Sequence, residues 1–229
     1  MSPAPRFTEQ SVKFLRALKR HNTREWFNAH KADYESHVRA PMLAVIERLS
    51  IDFPHIAPDL IASPRSMYRI YRYTRFSPDK TPYKTHVSAA FSHRTLPKQE
   101  SAGLYFHLAA DQLWIGGGLY APQGPQLHRI REHIAANLGR FRSVVEAPAL
   151  RRMGGVTGSR LKRVPRGFPP DHEAADYLRL KQYMVGAQLA PTLALSPRFY
   201  SSLVRRFTVL APFIQFLNTP LASSARFPL

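Results

Sequence analysis

The spacing of apolar residues divides the chain into helical ends and a stranded middle. Thr8 is suited to cap a helix N-terminus, and Val12, Phe14, Leu15 and Leu18 follow on one broad face, so a helix is predicted there. Asn22 with Glu25 three residues on has the form of a capping box, opening a helix through Trp26, Phe27, Ala29, Lys31 and Tyr34. Pro41, lacking an amide proton, should kink or divide that helix before the helical pattern resumes over 42–49. Pro54, Pro58 and Pro64 punctuate a predicted connecting loop. The next stretch, 67–76, is rich in Tyr, Ile, Thr and Phe and predicts a strand, with a second over 85–91 after a turn at Ser77, Pro78, Asp79 and Lys80. Two further strands, 103–109 and 113–120, flank the short turn Ala110, Asp111, Gln112, which predicts a hairpin.

Helical spacing then returns. Pro125 sits where the first residue of a helix should be, and Leu127, Ile130, Ile134 and Leu138 line one face. A short helix is expected over 140–145, a glycine- and proline-spaced loop or lid over 153–170, and an edge strand at Tyr183, Met184 and Val185. The last helix has the clearest signal: Ser196 as cap, Pro197 in the first turn, and Leu203, Phe207, Leu210, Ile214 and Leu217 at spacings of four, three, four and three, with a bend at Pro212. Four strands in short succession with tight links point to an antiparallel sheet and not to βαβ repeats. The predicted class is therefore α+β, with a central antiparallel sheet of about four to six strands flanked by N- and C-terminal helices. Residues 1–229 are read as one domain.

Composition narrows the classes of function. No stretch approaches the roughly 18 apolar residues of a membrane span, and the opening Met1 to Arg6 has no apolar leader core. The absence of cysteine excludes disulfides, thiolate metal sites and a cysteine nucleophile, and fits a cytoplasmic setting. The formal charge is +18, from 33 basic and 15 acidic residues, and it is unevenly spread: residues 65–98 carry +7 and residues 140–170 another +7. Such concentration creates a local field that recruits phosphates, carboxylates or nucleic acid, the alternative being a merely solvated, arginine-rich surface.

The first basic segment holds most of the candidate chemistry. Read as a strand, it puts Arg69, Tyr71, Tyr73 and Arg75 on one face and Ile70, Arg72, Thr74 and Phe76 on the other. Unpaired buried charge costs several kcal/mol, and Asp79 is the one acid nearby. So these arginines either pair with distant acids, face an anionic ligand, or decorate an exposed edge strand. Just beyond, Tyr83, Lys84, Thr85 and His86 add a lysine, hydroxyls and an imidazole, a set able to hold a phosphate and move a proton. His107 should share a strand face with Tyr105, opposite Phe106 and Leu108, pointing either into the same cavity or to solvent.

Elsewhere the signals are weaker. Gly116, Gly117 and Gly118 permit close approach of a ligand, or a bulge or tight helix-on-sheet contact, without the spacing of a nucleotide-binding loop. Asp171 with His172 reads as a helix cap or an unsupported acid–base pair. His21, His30 and His37 do not have metal-ligand spacing, and no metal or cofactor is expected.

Arg69, Arg72, Arg75, Phe76, Asp79, Lys80 and Tyr83 resemble the signature of a bacterial family, the domain of unknown function 2461, whose pattern is R-x-x-R-D-x-R-F followed by D-K-x-x-Y. The likeness extends to Trp26, Phe27, Lys31 and Tyr34, to Pro82 through His86, to the three glycines, to Asp171, His172 and Leu178 through Lys181, and to Phe216, Leu217 and Asn218. It implies no particular activity. Tyr73 stands where the pattern usually has Asp, so a role for that acid would be missing here. The residues together predict a pocket for a small phosphate- or carboxylate-bearing ligand built from Arg69, Arg72, Arg75, Asp79, Lys80, Tyr83, Lys84 and His86. Non-specific nucleic-acid binding is the alternative, and no membrane partner is expected.

Overall fold

The computed structural model describes residues 4–225; residues 1–3, which include part of the stretch read for a leader, and 226–229 lie outside them. The chain opens with α1 (Glu9–Arg20), α2 (Arg24–Ala29), α3 (Lys31–Tyr34), a π-helical stretch (Glu35–Arg39) and α4 (Ala40–Ile56). Strands β1 (His86–Phe91), β2 (Gly103–Ala109) and β3 (Leu113–Leu119) follow, then α5 (Gly124–Ala136), α6 (Leu138–Val145), α7 (Pro148–Arg151) and α8 (Ala175–Leu178). Strand β4 (Tyr183–Leu189), α9 (Thr192–Leu195) and the long α10 (Phe199–Ala225) complete it.

The predicted α+β class holds, with four strands in the order β1-β2-β3-β4, every neighbouring pair antiparallel. The β2–β3 hairpin closes where expected, with Ala109 donating its amide to Gln112 at 2.8 Å. The predicted apolar face of α1 is buried, and so are Leu203, Phe207, Leu210, Ile214 and Leu217 of α10.

Several local expectations are corrected. Thr23, not Asn22, caps α2, accepting the Trp26 amide at 3.3 Å. Asn22 instead clasps the backbone of Tyr83, accepting its N–H at 3.0 Å and donating to its carbonyl at 2.9 Å. A primary amide matches both groups of an extended residue, which a carboxylate, an acceptor only, cannot. Pro41 falls in the first turn of α4, where a missing N–H costs little, so the helical path runs on through the π stretch. Pro54 lies inside α4 and is not part of a loop. Ser196 accepts the Arg198 amide at 3.1 Å, but α10 begins at Phe199 and runs through Pro212 and Pro220. Asp171 caps nothing; α8 starts at Ala175, after the Ala174 amide donates to His172 Nδ1.

The largest correction concerns 67–76, which form no strand. After a 3₁₀ turn (Pro64–Ser66), the chain meets β1 at an isolated bridge between Met67 and Ala89, then folds back on itself through a bridge between Tyr71 and Tyr83. Pro82 and Pro78 explain this, since neither can donate to a ladder; the Pro82 carbonyl still accepts the Arg72 amide at 2.8 Å.

Strand alternation sorts the sheet into two faces. Val87, Ala89, Phe91, Leu104, Phe106, Leu108, Leu113, Ile115, Tyr183 and Val185 are all buried, and the rings of Phe91 and Phe106 meet Phe207 of α10 at 5.7 and 6.5 Å. Burying each such side chain stabilises by about 1.5–3 kcal/mol. Gly117 shows how close α10 comes: a Cβ there would sit 3.1 Å from Ile214 Cδ1 and 2.7 Å from the Gly103 carbonyl. The contact between helix and sheet weighed for these glycines is thus present at Gly117. Among the described residues no helix is long and apolar enough to cross a membrane.

Asn218 of α10, 4% exposed, accepts the Ala102 amide at 2.8 Å and donates to its carbonyl at 3.0 Å. It fastens the β1–β2 connection to the helix. Replacing Asn218 by Ala strands two buried backbone groups and should lower the unfolding free energy by roughly 2–4 kcal/mol, measurable by denaturant titration.

Candidate functional site

The eight residues singled out by sequence do not all serve one place. In the loop between Tyr71 and Tyr83, the Arg72 guanidinium donates to both the Asp79 carboxylate and the Thr81 hydroxyl. Asp79 also accepts the Thr81 amide at 2.9 Å and its hydroxyl at 2.8 Å. The Thr81 amide, with Arg72 and the Thr81 hydroxyl behind it, holds the Asp79 carboxyl at about 2. Lys80 donates to the Thr74 carbonyl at 3.1 Å. Tyr83 is buried, stacked on Phe27 at 4.1 Å. Arg72, Asp79, Lys80 and Tyr83 therefore fasten the loop and anchor it to α2. Arg75 is exposed at its tip, its guanidinium 5.3 Å from the Phe76 ring.

Lys84, His86 and Arg69 belong to a different setting, the sheet face turned away from α10. Along β1 that face carries His86, Ser88 and Ala90; along β2, Tyr105 and His107; along β3, Trp114, Gly116 and Gly118; along β4, Met184, Gly186 and Gln188. Ala90, Tyr105, His107, Trp114, Gly118 and Met184 of this face line a groove of about 520 Å³, together with Tyr68, Lys98 and Tyr120; Lys84 reaches its edge at Tyr68, while His86 and Arg69 lie outside its lining. Ligand pockets typically occupy about 300–1,000 Å³ and are mostly apolar. Tyr68 stands at the rim, between this groove and a second one of about 250 Å³ that Arg69 also lines.

Two ammonium groups converge on Tyr68. Lys84 Nζ lies 5.1 Å from its ring and Lys98 Nζ 4.5 Å. Lys84 donates one hydrogen bond, to the Arg69 carbonyl at 2.9 Å. Among the described residues no carboxylate pairs with Lys84, Lys98 or Arg69. Burial lowers the pKa of both lysines, and for Lys84 the Arg69 charge adds to it. The same pattern continues inward. Burial, then the Lys84 charge, lowers His86; burial, then His86, lowers His107 to about 4, against a smaller opposing effect of Asp111.

The two imidazoles sit 5.1 Å apart. The Gln112 amide nitrogen faces His107 Nε2 at 3.2 Å. An amide nitrogen only donates, so Nε2 accepts and the neutral ring carries its proton on Nδ1. That Nδ1 is buried without a partner among the described residues.

His107 therefore faces the groove with Tyr105, as one of its two expected orientations had it, but the cavity is not the arginine loop. Sequence reasoning missed Tyr68, Lys98, Trp114 and Tyr120. The alternation of Trp114 with Leu113 and Ile115 carried the signal for one of them; Lys98 and Tyr120 sit in connections where no period applies. His21, His30 and His37 border a surface depression beside Asp33, and no group fit to hold a metal ion occurs among the described residues.

The family described as Conserved hypothetical protein (DUF2461) matches residues 10–216, and the chain belongs to it. No curated protein matches the chain.

Because Arg72 and Asp79 secure the loop, Arg72→Ala and Asp79→Asn should speed tryptic cleavage at Arg75 and Lys80 while the global unfolding midpoint moves little. Asp79 is lowered in the folded state, so its contribution is present above the ordinary 3.8 and disappears as pH falls toward 2. Amide protection factors within the wild-type loop, taken relative to the intrinsic exchange rate at each pH, should fall only in that acid range.

Proposed function

We propose that this member of the family binds a small anionic molecule, phosphate- or carboxylate-bearing, in the groove on the sheet face opposite α10. One observation carries the reading: Lys84 and Lys98 are held over the same tyrosine ring, partly out of water, with no acid of the described chain to balance them. Holding cations partly out of water with no acid beside them opposes stability unless something negative joins them. Arg69 reinforces the field at Lys84, and the His107 ring lines the groove further in. A cavity with converging cations suits a small ligand better than a long polyanion. Within the second basic segment, Arg142, Arg151 and Arg160 already meet Glu173, Glu146 and Asp176, so part of the charge that suggested nucleic acid is matched by the chain's own acids.

Arg72, Asp79, Lys80 and Tyr83 keep a part in this reading as the fastening of the segment from which Lys84 and His86 emerge. Arg75 has none. Sulfate at millimolar concentration should raise the melting temperature of the wild-type chain. The shift should vanish in Lys84→Ala/Lys98→Ala and survive in Arg75→Ala. Loss in Arg75→Ala with retention in the double lysine variant would return the site to the loop. Retention of a random oligonucleotide on a filter at about 50 mM salt, falling steeply as salt rises, would instead favour nucleic acid.

Binding should also depend on pH. His86 and His107 are lowered in the unliganded protein, and an anion beside them favours their protonated forms. The complex then takes up protons, so sulfate, whose own charge is constant here, should bind more tightly as pH falls from 7 toward 5. Isothermal titration in buffers of different ionisation enthalpy reads that proton uptake directly.

A further inference from the structure

Resting on the anion reading above, we infer that the ligand carries a flat conjugated ring together with its acidic group, and that Trp114 forms the surface on which that ring lies, with Tyr105 as a wall beside it. The groove is built for more than a bare anion. Directly paired across β3 and β4, Gly116 and Gly186 leave a stretch of backbone without side chains. The Trp114 indole covers it. A Cβ on Gly186 would stand 2.1 Å from indole Cζ2, and one on Gly116 2.4 Å from Cη2. The bare pair thus lets the indole lie down along the sheet, one side on backbone and the rest lining the groove.

Neighbouring rings extend this surface. His107, the cross-strand partner of Trp114, is nearly parallel to it, at 9°. The Tyr105 ring stands beside the indole, 5.6 Å away and tilted 57° to it, and Tyr68 lies 6.5 Å from Tyr105, tilted 55°. The two lysines sit over Tyr68. Positive charge therefore occupies one end of an aromatic floor whose other end is uncharged. A molecule satisfying both carries its acid and a planar system on one small frame, as in an aromatic carboxylate, an aryl phosphate or a nucleoside monophosphate. Stacking of such a ring on an aromatic side chain favours binding, and the apolar floor remains in contact with water if the guest is only an anion.

Phenyl phosphate and methyl phosphate separate the two halves of this inference, having the same acid with and without a ring. Tryptophan emission and thermal shift are followed for the wild type and for Trp114→Leu. Phenyl phosphate is expected to bind at least ten-fold more tightly than methyl phosphate to the wild type and to change its emission. In Trp114→Leu that advantage should shrink to within two- to three-fold, while methyl phosphate still shifts the melting temperature. Equal binding of the two compounds by the wild type, or a preference that survives in Trp114→Leu, overturns the ring assignment and leaves the anion site standing. Binding of neither compound removes both. Should Trp114→Leu not fold, Trp114→Phe, which keeps a flat ring, must keep most of the preference; its loss there counts against the inference.

Discussion

Alternation along the strands is the constraint on which the molecule depends. Each strand offers one set of side chains to α10 and the opposite set to the other face, and a residue cannot serve both. Once Phe91, Leu104, Phe106, Leu108, Leu113 and Ile115 are committed to the core, Ser88, Tyr105, His107 and Trp114 are committed to the far side by geometry alone. The fold thus creates a second surface as a consequence of burying the first. Its side chains are large, aromatic or titratable, which is costly surface to leave wet and useful surface to bind with.

Charge is placed on this frame in two ways. Around the 72–81 loop a cation and an acid are spent on each other, Arg72 against Asp79, with Thr81 and Lys80 filling the remaining hydrogen bonds. At the groove rim no such exchange occurs. Arg69, Lys84 and Lys98 lie close to one another or to one ring, and His86 and His107 continue inward from Lys84, each lowered by burial and then by a basic neighbour. Electrostatically Arg72 is matched within the loop, although among the described residues Arg75 and Lys80 are not, and the rim has no acid at all; both come from one short basic stretch of sequence.

That distinction explains how far the sequence could be read. Periodicity located α1, β2, β3 and α10 because each has one apolar face and one core to meet, so a local pattern reports a tertiary fact. It misplaced the 67–76 segment because aromatic and β-branched content there reflects ring packing, Tyr83 on Phe27 and Tyr71 beside it, and not ladder pairing. The candidate residues divide along the same line. Lys84, His86 and His107 were legible as chemistry near a strand. Arg72 and Asp79 looked alike in composition but pair across seven residues, which only the fold-back of the loop reveals. Trp114 drew no attention because its meaning depends on Gly186, 72 residues away in sequence and lying beneath the indole on the neighbouring strand.

The three consecutive glycines bring these strands of reasoning together. Gly117 faces α10 and lets the helix approach; Gly116, one residue earlier, faces the groove and lets the indole lie flat; Gly118, with φ of 138°, has a Cβ position only 2.0 Å from the Tyr183 carbonyl and admits the close passage of β4. A side chain at Gly117 would push the core apart, and one at Gly116 would lift the tryptophan. Core packing and the shape of the groove are therefore set by adjacent residues on one strand. Room for α10 and room for the indole thus fall to neighbouring residues of one strand, so a shift of that strand large enough to relieve a side chain at Gly117 would also move the backbone beneath Trp114.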